Sequence, residues 1–336
     1  MKKDILMGVI GTGRIGKLHV ENINRLVPGG RVIAVADVMI EQSRAWAEEE
    51  GIKYIYNDYN ELLANPEVEA VVIATPTNTH AEVAIAAAKA GKQIFLEKPV
   101  DLSLDRIHEV MEAVKAAGVI CQIGFNRRFD HNFRRVREMV ENGKVGDPYV
   151  IRVTSRDPAP PPISYIKVSG GLFVDMMIHD FDMVRYLSGS DAVKITAKGA
   201  NLLDPAIGEA GDIDTAVVTL EMANGAIAVI DNSRQAVYGY DQRVEVFGSK
   251  GQAIAYNDKP STVELYTEET VSTDKIRYFF LDRYTGAFID QFVAFIDAVN
   301  GQSEVVVDVL DGLRAVEMAL AATESLHTGK TVELKL

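Results

Sequence analysis

The chain has 336 residues, which is long for one ordinary domain and comfortable for two. Its composition, 47% hydrophobic and 25% charged, is typical of a folded globular protein with a full core. The formal net charge is −13, and no run of lysine or arginine is long enough to follow a phosphate backbone. The sequence therefore argues against nucleic acids and anionic membranes as partners.

The single cysteine and the N-terminus bear on the cellular compartment. Cys121 has no second cysteine with which to form an intrachain disulfide, and it lies in an apolar run where we expect it to be buried. The first apolar run is too short for a secretion signal, and no segment approaches the ~18 consecutive apolar residues of a membrane span. We therefore expect a cytoplasmic protein.

The first third of the chain alternates strands with helices. In chain order the pattern predicts strand 5–10, helix 15–26, strand 32–36, helix 41–50, strand 69–74, helix 79–90, strand 93–96, helix 103–117 and strand 119–124. The strands are almost continuously apolar, as parallel strands covered on both faces should be. This alternation predicts a doubly wound parallel sheet.

After Phe125 the pattern changes to strands with short connections. We expect strands at 150–155, 193–200, 214–221, 226–232 and 243–247, followed by helices at 288–299 and 309–326. Asn224-Gly225, between two of these strands, predicts a type I′ hairpin turn. The change indicates a mainly antiparallel α+β domain, so we place the domain boundary at Gly124 and predict domains 1–124 and 125–336.

A glycine-rich turn follows the first strand and opens the first helix, with the residues Gly11, Gly13, Arg14, Ile15 and Gly16. In that context the motif predicts binding of a dinucleotide pyrophosphate at the helix N-terminus. Asp37 ends the second strand, where a carboxylate binds ribose hydroxyls and repels a 2′-phosphate, so we predict NAD rather than NADP. The alternative is a glycine turn in an α/β protein that binds another ligand or none.

The loop after the third strand is the second element expected to contact the cofactor. It carries Thr75, Thr77, Asn78 and His80. Ligands of doubly wound sheets bind outside the carboxyl ends of the strands, so we expect this loop to line the dinucleotide and His80 to contact it.

The end of the fourth strand carries Glu97-Lys98-Pro99. Lys98 is therefore placed where a catalytic group belongs, and it can donate a hydrogen bond to a substrate oxygen while Glu97 holds its ammonium. Both residues are also predicted to line the cofactor. The alternative is a surface ion pair at the end of a strand.

The stretch 171–187 is apolar enough for a largely buried helix. On such a helix Asp175, His179 and Asp182 lie at positions i, i+4 and i+7 and share one face. Burying these groups is costly unless they are paired or take part in chemistry. His179 is suited to accept a proton near neutral pH, and Asp175 to orient it.

Two other interpretations of this face remain open. It could be the solvent-exposed side of an ordinary amphipathic helix. Asp175 and His179 could also chelate a metal ion, but the sequence offers no clear third ligand, so we predict no metal site.

Taken together, three motifs resemble in order and spacing those of the glucose–fructose oxidoreductase/inositol dehydrogenase/rhizopine-catabolism (Gfo/Idh/MocA) family: Gly11-x-Gly13-x-x-Gly16, Glu97-Lys98-Pro99 and Asp175-x-x-x-His179. The similarity extends through essentially the whole chain. Within the family, residues 124–130, 155–158, 178–182, 211–215 and 231–243 are most similar to inositol 2-dehydrogenases.

The resemblance implies an α/β fold, with an N-terminal Rossmann domain followed by a C-terminal α+β domain that has a large, mainly antiparallel open sheet. Such sheets often support dimers or tetramers, so a homo-oligomer is expected. The resemblance implies the catalytic residues Lys98, Asp175 and His179. It also implies a set of hydroxyl-binding residues, namely Asn126, Arg127, Asp157, Asp182, Tyr238 and Tyr284.

The activity implied is that of an NAD-dependent oxidoreductase acting on a secondary alcohol of a polyhydroxylated ring, foremost the oxidation of myo-inositol to 2-keto-myo-inositol. Another inositol isomer such as scyllo-inositol, or a sugar, is the nearest alternative. A non-catalytic NAD- or sugar-sensing regulator would be expected to lose Lys98 or His179, and both are present. A glycosidase that uses NAD transiently is a weaker alternative.

Overall fold

The structure is a computed structural model that describes residues 4–335. The chain divides into two compact units. Unit 1 contains the residues up to Phe129 together with Gly286–Leu313. Unit 2 contains Asp130–Thr285 together with the residues from Arg314 onward.

Unit 1 is built on a six-stranded parallel sheet, whose strands are β1 (Ile5–Ile10), β2 (Gly30–Ala36), β3 (Tyr54–Tyr56), β4 (Ala70–Ile73), β5 (Gln93–Leu96) and β6 (Cys121–Ile123). Their order in the sheet is β3-β2-β1-β4-β5-β6. The helices between them are α1 (Arg14–Leu26), α2 (Arg44–Glu49), α3 (Tyr59–Ala64), α4 (His80–Lys89) and α5 (Leu104–Ala117). The predicted doubly wound parallel sheet is confirmed.

The sequence patterns missed β3 and α3 at the edge of this sheet. The three residues of β3 are half-buried tyrosines and an isoleucine, too few to show a hydrophobic period. The predicted helix 41–50 is also shorter, because a 3-10 turn at Ile40–Gln42 precedes α2.

Unit 2 is built on a seven-stranded sheet. The strands that follow β6 in the chain are β7 (Pro148–Arg156), β8 (Ala192–Ala200), β9 (Thr215–Met222), β10 (Ile227–Ser233), β11 (Asp241–Gly248), β12 (Gly251–Ala255), β13 (Glu264–Tyr266), β14 (Val271–Thr273) and β15 (Val332–Glu333). The sheet order is β12-β11-β7-β10-β9-β8-β15, while β13 and β14 form a separate two-stranded ribbon. Among the described residues of the seven-stranded sheet, only β7 and β10 pair in parallel, so the mainly antiparallel prediction is confirmed.

The remaining helices continue the numbering along the chain as α6 (His131–Glu141), α7 (Ile163–Ile166), α8 (Gly171–Asp175), α9 (Ile178–Ser188), α10 (Pro205–Glu209), α11 (Phe280–Arg283), α12 (Thr285–Val299) and α13 (Val309–Thr328). Burial alternates strictly along β9, where Val218 and Leu220 are buried while Val217 and Thr219 are exposed. The seven-stranded sheet therefore has one covered face and one open face.

The hairpin between β9 and β10 forms where Asn224-Gly225 predicted it, but the turn type was wrong. Gly225 has φ = 87°, whereas no described residue other than glycine has a positive φ, which excludes type I′. Met222 donates its N–H to Ala226 O at 2.9 Å and so closes a three-residue loop. Such a loop needs a left-handed residue only at its last position, which glycine supplies.

Helix α12 belongs to unit 1 although it lies far along the chain. The Phe292 ring lies 4.4 Å from the Phe95 ring on β5, and Phe292, Phe295 and Ile296 are part of the core around β1 and β2. The sequence-based boundary at Gly124 therefore differs from the division of the structure, which extends unit 1 to Phe129 and adds Gly286–Leu313. A hydrophobic helix does not reveal from its own sequence which sheet it covers.

Across residues 4–335, no helix combines the length and the apolar character needed to cross a membrane.

Candidate active site

The glycine-rich turn connects β1 to α1, and its three glycines meet different constraints. Gly11 has φ = 95°, and a Cβ there would lie 2.5 Å from Ala74 O. A Cβ at Gly16 would lie 1.9 Å from Gly11 O, so the helix can pack against the turn only without a side chain. At Gly13, the N-cap of α1, a Cβ would meet open space, with nothing within 4 Å. The turn thus leaves the start of α1 open to a phosphate group.

Asp37 follows β2 and its carboxylate is held beside this turn. Its Oδ2 accepts hydrogen bonds from Thr12 N at 2.7 Å and from Thr12 Oγ1 at 3.0 Å. Its Oδ1 accepts one from Met39 N at 2.8 Å. The carboxylate is therefore fixed at the carboxyl edge of the sheet. The glycine turn, the start of α1 and the Asp37 carboxylate are together suited to bind a dinucleotide whose ribose hydroxyls carry no phosphate.

The loop after β4 lies at the same edge. Thr77 and Asn78 form a 3-10 turn with Thr79, whose hydroxyl donates to Thr75 Oγ1 at 2.9 Å. His80 begins α4 and is buried. Its Nδ1 lies 2.7 Å from Pro99 O and its Nε2 lies 2.8 Å from Thr75 O, so the ring joins the loops after β4 and β5. Burial lowers the pKa of His80, and the two carbonyl contacts oppose that shift.

Glu97 and Lys98 follow β5, again at the carboxyl edge. Glu97 Oε1 lies 2.7 Å from Nε2 of His19, which is fully buried on α1. Glu97 Oε2 accepts the backbone N–H of Lys98 at 3.3 Å. The carboxylate therefore holds the backbone at Lys98, and His19 holds the carboxylate. No role for His19 was predicted from the sequence, although its position one helical turn after Gly16 was the available signal.

Asn126 and Arg127, predicted to bind substrate hydroxyls, form a 3-10 turn just after β6. Both side chains are buried, at 5% and 4% exposure. The predicted residues of unit 1 therefore follow the carboxyl ends of β1, β2, β4, β5 and β6, which is the edge where doubly wound sheets bind ligands.

In unit 2, the single helix predicted across 171–187 is divided into two. Asp175 is the last residue of α8, and His179 is the second residue of α9. Between the helices, Met177 N bonds to Leu172 O, five residues back, instead of continuing the regular four-residue pattern. The expectation of one continuous helix was therefore wrong, because a turn wider than an α-helical one separates Asp175 from His179.

Asp175 lies among polar side chains from other parts of unit 2. Tyr165 on α7 donates its hydroxyl to Asp175 Oδ1 at 2.8 Å. Arg234, just after β10, places one guanidinium nitrogen 3.6 Å from Asp175 Oδ2 and another 3.0 Å from Asp212 Oδ2. Burial, followed by the charge of Asp175, raises the pKa of Tyr165 well above its ordinary value. Neither Tyr165 nor Arg234 was predicted to be a site residue, because their contacts with Asp175 depend on the tertiary structure.

The other predicted hydroxyl binders of unit 2 lie in different environments. Asp182 is buried on α9. Asp157 follows β7, and its backbone N–H bonds to Ser233 O, which places it beside the end of β10. Tyr284 is buried, with its ring edge-on to the ring of Tyr240.

Tyr238 lies in a charged network near the end of β7. Its hydroxyl donates to Asp241 Oδ2 at 2.7 Å and accepts from Arg156 at 3.3 Å. Burial and the bond to Asp241 raise the pKa of Tyr238. In the part of the chain that the structure describes, no three His, Cys, Asp or Glu side chains are grouped closely enough to hold a metal ion.

Comparison with known proteins identifies the family. Residues 5–125 match the model of the oxidoreductase family with an NAD-binding Rossmann fold, and residues 133–254 match the GFO/IDH/MocA C-terminal domain.

Full-length relatives and structures agree with these matches. The chain is 50% identical to the uncharacterized oxidoreductase YrbE of Bacillus subtilis, covering 100% of this chain and 98% of that protein. It is 47% identical to the myo-inositol 2-dehydrogenase of Thermotoga maritima, covering 98% of each. The crystal structure of scyllo-inositol dehydrogenase from Lactobacillus casei with bound NAD(H) and scyllo-inositol superposes with a TM-score of 0.92 at 29% identity, covering 98% and 99% of the two chains. The chain belongs to the GFO/IDH/MocA family of oxidoreductases, with an N-terminal NAD-binding Rossmann fold.

Proposed function

We propose that this protein is an inositol 2-dehydrogenase that oxidises myo-inositol to 2-keto-myo-inositol with NAD. The observation that carries this proposal is the full-length similarity, at 47% identity, to a protein named myo-inositol 2-dehydrogenase. The polar side chains around Asp175 and the carboxyl edge of the parallel sheet support the same conclusion, because a polyol needs several hydroxyl partners.

The cofactor specificity is proposed from the residues that follow β1 and β2. The glycine turn is shaped so that a phosphate group can approach the start of α1, and Asp37 offers acceptors to two ribose hydroxyls. When NAD is bound, its nicotinamide accepts the hydride from the alcohol carbon. Further contacts to the cofactor are assigned to Gly11, Gly13, Arg14, Ile15, Gly16, Thr75, Thr77, Asn78, His80, Glu97 and Lys98.

The catalytic roles are assigned to three side chains. His179 accepts the proton of the reacting hydroxyl, and Asp175 orients the imidazole and balances its positive charge. Lys98 donates a hydrogen bond to the reacting oxygen and steadies the negative charge that develops there. The Glu97 carboxylate, bonded to the Lys98 backbone, supports this lysine.

The substrate hydroxyls require donors and acceptors, and the chain supplies both kinds. Arginine and asparagine side chains donate, carboxylates accept, and tyrosine hydroxyls can do either. We assign these contacts to Asn126, Arg127, Asp157, Asp182, Tyr238 and Tyr284. In this scheme residues 1–124 bind NAD, and residues 125–336 bind substrate and mediate oligomer formation.

The open face of the seven-stranded sheet supports a homo-oligomer, a tetramer or a dimer. Val217, Ile227 and Phe247 project from β9, β10 and β11 and are 46%, 52% and 43% exposed. Exposed apolar side chains on the open face of a sheet favour a protein–protein interface there. We further propose a cytoplasmic enzyme of inositol catabolism.

One alternative substrate is favoured by a specific observation. The L. casei structure contains scyllo-inositol, and it superposes over almost the whole chain. Oxidation of scyllo-inositol would use the same cofactor and the same three catalytic residues. A non-catalytic sensor is disfavoured, since Lys98, Asp175 and His179 are all present.

The test is NADH formation, followed by absorbance, with purified protein and a panel of myo-inositol, scyllo-inositol, D-chiro-inositol and glucose. We expect the highest kcat/KM with NAD and myo-inositol. A higher kcat/KM with another polyol would assign that polyol as the substrate and leave the proposed reaction unchanged. NAD binding without turnover of any polyol would contradict the proposal and favour the sensor.

A further inference from the structure

Arg234 is a charged side chain in the interior of unit 2. It follows β10, and only 1% of the residue is exposed. Burying a guanidinium is costly unless it is paired. Its two terminal nitrogens serve different carboxylates, those of Asp175 and Asp212.

The two carboxylates lie at opposite ends of α8, one bonded to its first turn and the other carried by its last residue. Asp212 Oδ1 accepts the N–H of Leu172, in the first turn of the helix, at 2.9 Å. Asp175 is the last residue of the same helix. A helix of five residues is about 7.5 Å long, so one guanidinium with its two acids can span it. Arg234 therefore ties the end of α8 to its beginning.

Each oxygen of the Asp175 carboxylate has its own described partner. Tyr165 donates to Oδ1 at 2.8 Å, and Arg234 faces Oδ2 at 3.6 Å. Two partners on different elements restrict rotation about the Asp175 side-chain bonds. The pKa of the Tyr165 hydroxyl is raised, so it stays protonated and remains a donor at neutral pH.

The wide turn between α8 and α9 makes such restraint necessary. In a regular helix the backbone alone would set Asp175 and His179 one turn apart, but here the hydrogen-bond pattern is interrupted at Met177. The side-chain contacts with Tyr165 and Arg234 therefore help to set the orientation of the carboxylate.

We propose that Arg234 is a positioning residue of the dehydrogenase reaction, which holds the Asp175 carboxylate in the orientation that His179 requires. This inference rests on the proposed function, because it takes Asp175 as the partner of the catalytic base. Arg234 acts through Asp175 and does not contact the substrate.

The first experiment compares kcat, KM and NAD affinity in Arg234→Met and Arg234→Lys. Misplacing a catalytic group by about 1 Å costs about 100-fold, so we expect a loss of that order in kcat for Arg234→Met, with NAD affinity within about twofold of wild type. Lysine keeps the charge but cannot serve two carboxylates as a rigid fork, so Arg234→Lys should recover part of the loss. Arg185→Met, which removes an ion pair with Asp191 in the same unit, is the matched control.

A double-mutant cycle separates positioning from a general structural effect. If Arg234 acts through Asp175, adding Arg234→Met to Asp175→Asn should lower kcat by no more than about threefold further. Losses that multiply in the double variant would overturn the proposal. If Arg234→Met does not fold, the cycle is run with Arg234→Lys in its place. A kcat equal to that of wild type in the single variant Arg234→Lys would then also overturn the proposal.

Crystal structures of the wild-type and Arg234→Lys proteins give a readout that does not depend on turnover. We expect the Asp175 carboxylate to rotate away from the Tyr165 hydroxyl in the variant. An unchanged carboxylate would overturn the inference even if the wild-type protein oxidises inositol. A rotated carboxylate in a protein that oxidises no polyol would instead reject the proposed function and leave the restraint of Asp175 established.

Discussion

His19 Nε2 lies 2.7 Å from Glu97 Oε1, and this bond links the helix after the glycine turn to the strand end that carries Lys98. The imidazole is fully buried and is surrounded by the rings of Phe95 and Phe292. Because Glu97 also accepts the Lys98 N–H, the bond connects the cofactor-binding turn to the proposed catalytic lysine.

Replacing His19 by phenylalanine should fill the same space and remove the partner of Glu97. A hydrogen bond to a charged group contributes about 1.5–3 kcal/mol, so we expect a lower melting temperature and a lower kcat. His19→Gln, which keeps a donor, should recover part of both. The test is to measure kcat and the melting temperature of both variants. Equal values in His19→Phe and His19→Gln would contradict a role for the hydrogen bond to Glu97.

Replacing Asp37 by serine should weaken discrimination between NAD and NADP. The carboxylate is held by Thr12 and Met39 at the end of β2, where a 2′-phosphate would meet its charge. We expect the ratio of kcat/KM for NAD to that for NADP to fall by about tenfold or more. Asp58→Ser, which removes an exposed carboxylate at the N-cap of α3, serves as the control, and an unchanged ratio in Asp37→Ser would reject the assignment.

The glycine turn offers a matched pair of alanine variants. Gly16→Ala places a Cβ 1.9 Å from Gly11 O, so backbone must move and the stability of unit 1 should fall. Overpacking of this kind costs about 1–3 kcal/mol or more. Gly13→Ala has space in the protein itself and an ordinary φ of −68°, so it should fold normally yet bind NAD weakly.

Thermal unfolding and NAD titration distinguish the two glycine variants. Loss of NAD affinity in Gly13→Ala at a wild-type melting temperature would show that the open space above Gly13 is used by the cofactor. Tight NAD binding by that variant would contradict the proposed site.

Replacing the proposed base, His179, should slow the chemical step without weakening NAD binding. General-base catalysis contributes about 10²–10⁴-fold, so His179→Ala should lower kcat by that order while NAD affinity stays near wild type. His108→Ala, at an exposed histidine on α5, is the control. Full activity of His179→Ala across the neutral pH range would show that His179 is not the general base.

His80 should make the fold sensitive to mild acid. Burial lowers its pKa below the ordinary value of 6.5, so the folded chain favours the neutral ring. Its contribution to stability is then complete above the unfolded pKa and is lost as the pH falls toward the lower folded value. Between about pH 7.5 and 5.5 the melting temperature should fall more in wild type than in His80→Gln. If the melting temperatures of the wild type and His80→Gln fell by the same amount over this pH range, this assignment would be contradicted.

Local sequence patterns were sufficient for five of the six strands of the parallel sheet and for the position of its ligand-binding edge. Turn glycines, helix stops and apolar runs act over a few residues, so they can be read without knowing the fold. The positions of Asp37 at the end of β2 and of Lys98 after β5 followed from those patterns.

Only the tertiary structure decided the contacts between residues far apart in the chain. Arg234 meets Asp175 across 59 positions of sequence (234 − 175), and Phe292 meets Phe95 across almost 200 (292 − 95 = 197). The break between α8 and α9 likewise depends on packing, since the residues on either side favour one continuous apolar helix. Side-chain partners of this kind are selected by the assembled core, where burial makes an unpaired charge costly, and no short segment encodes them.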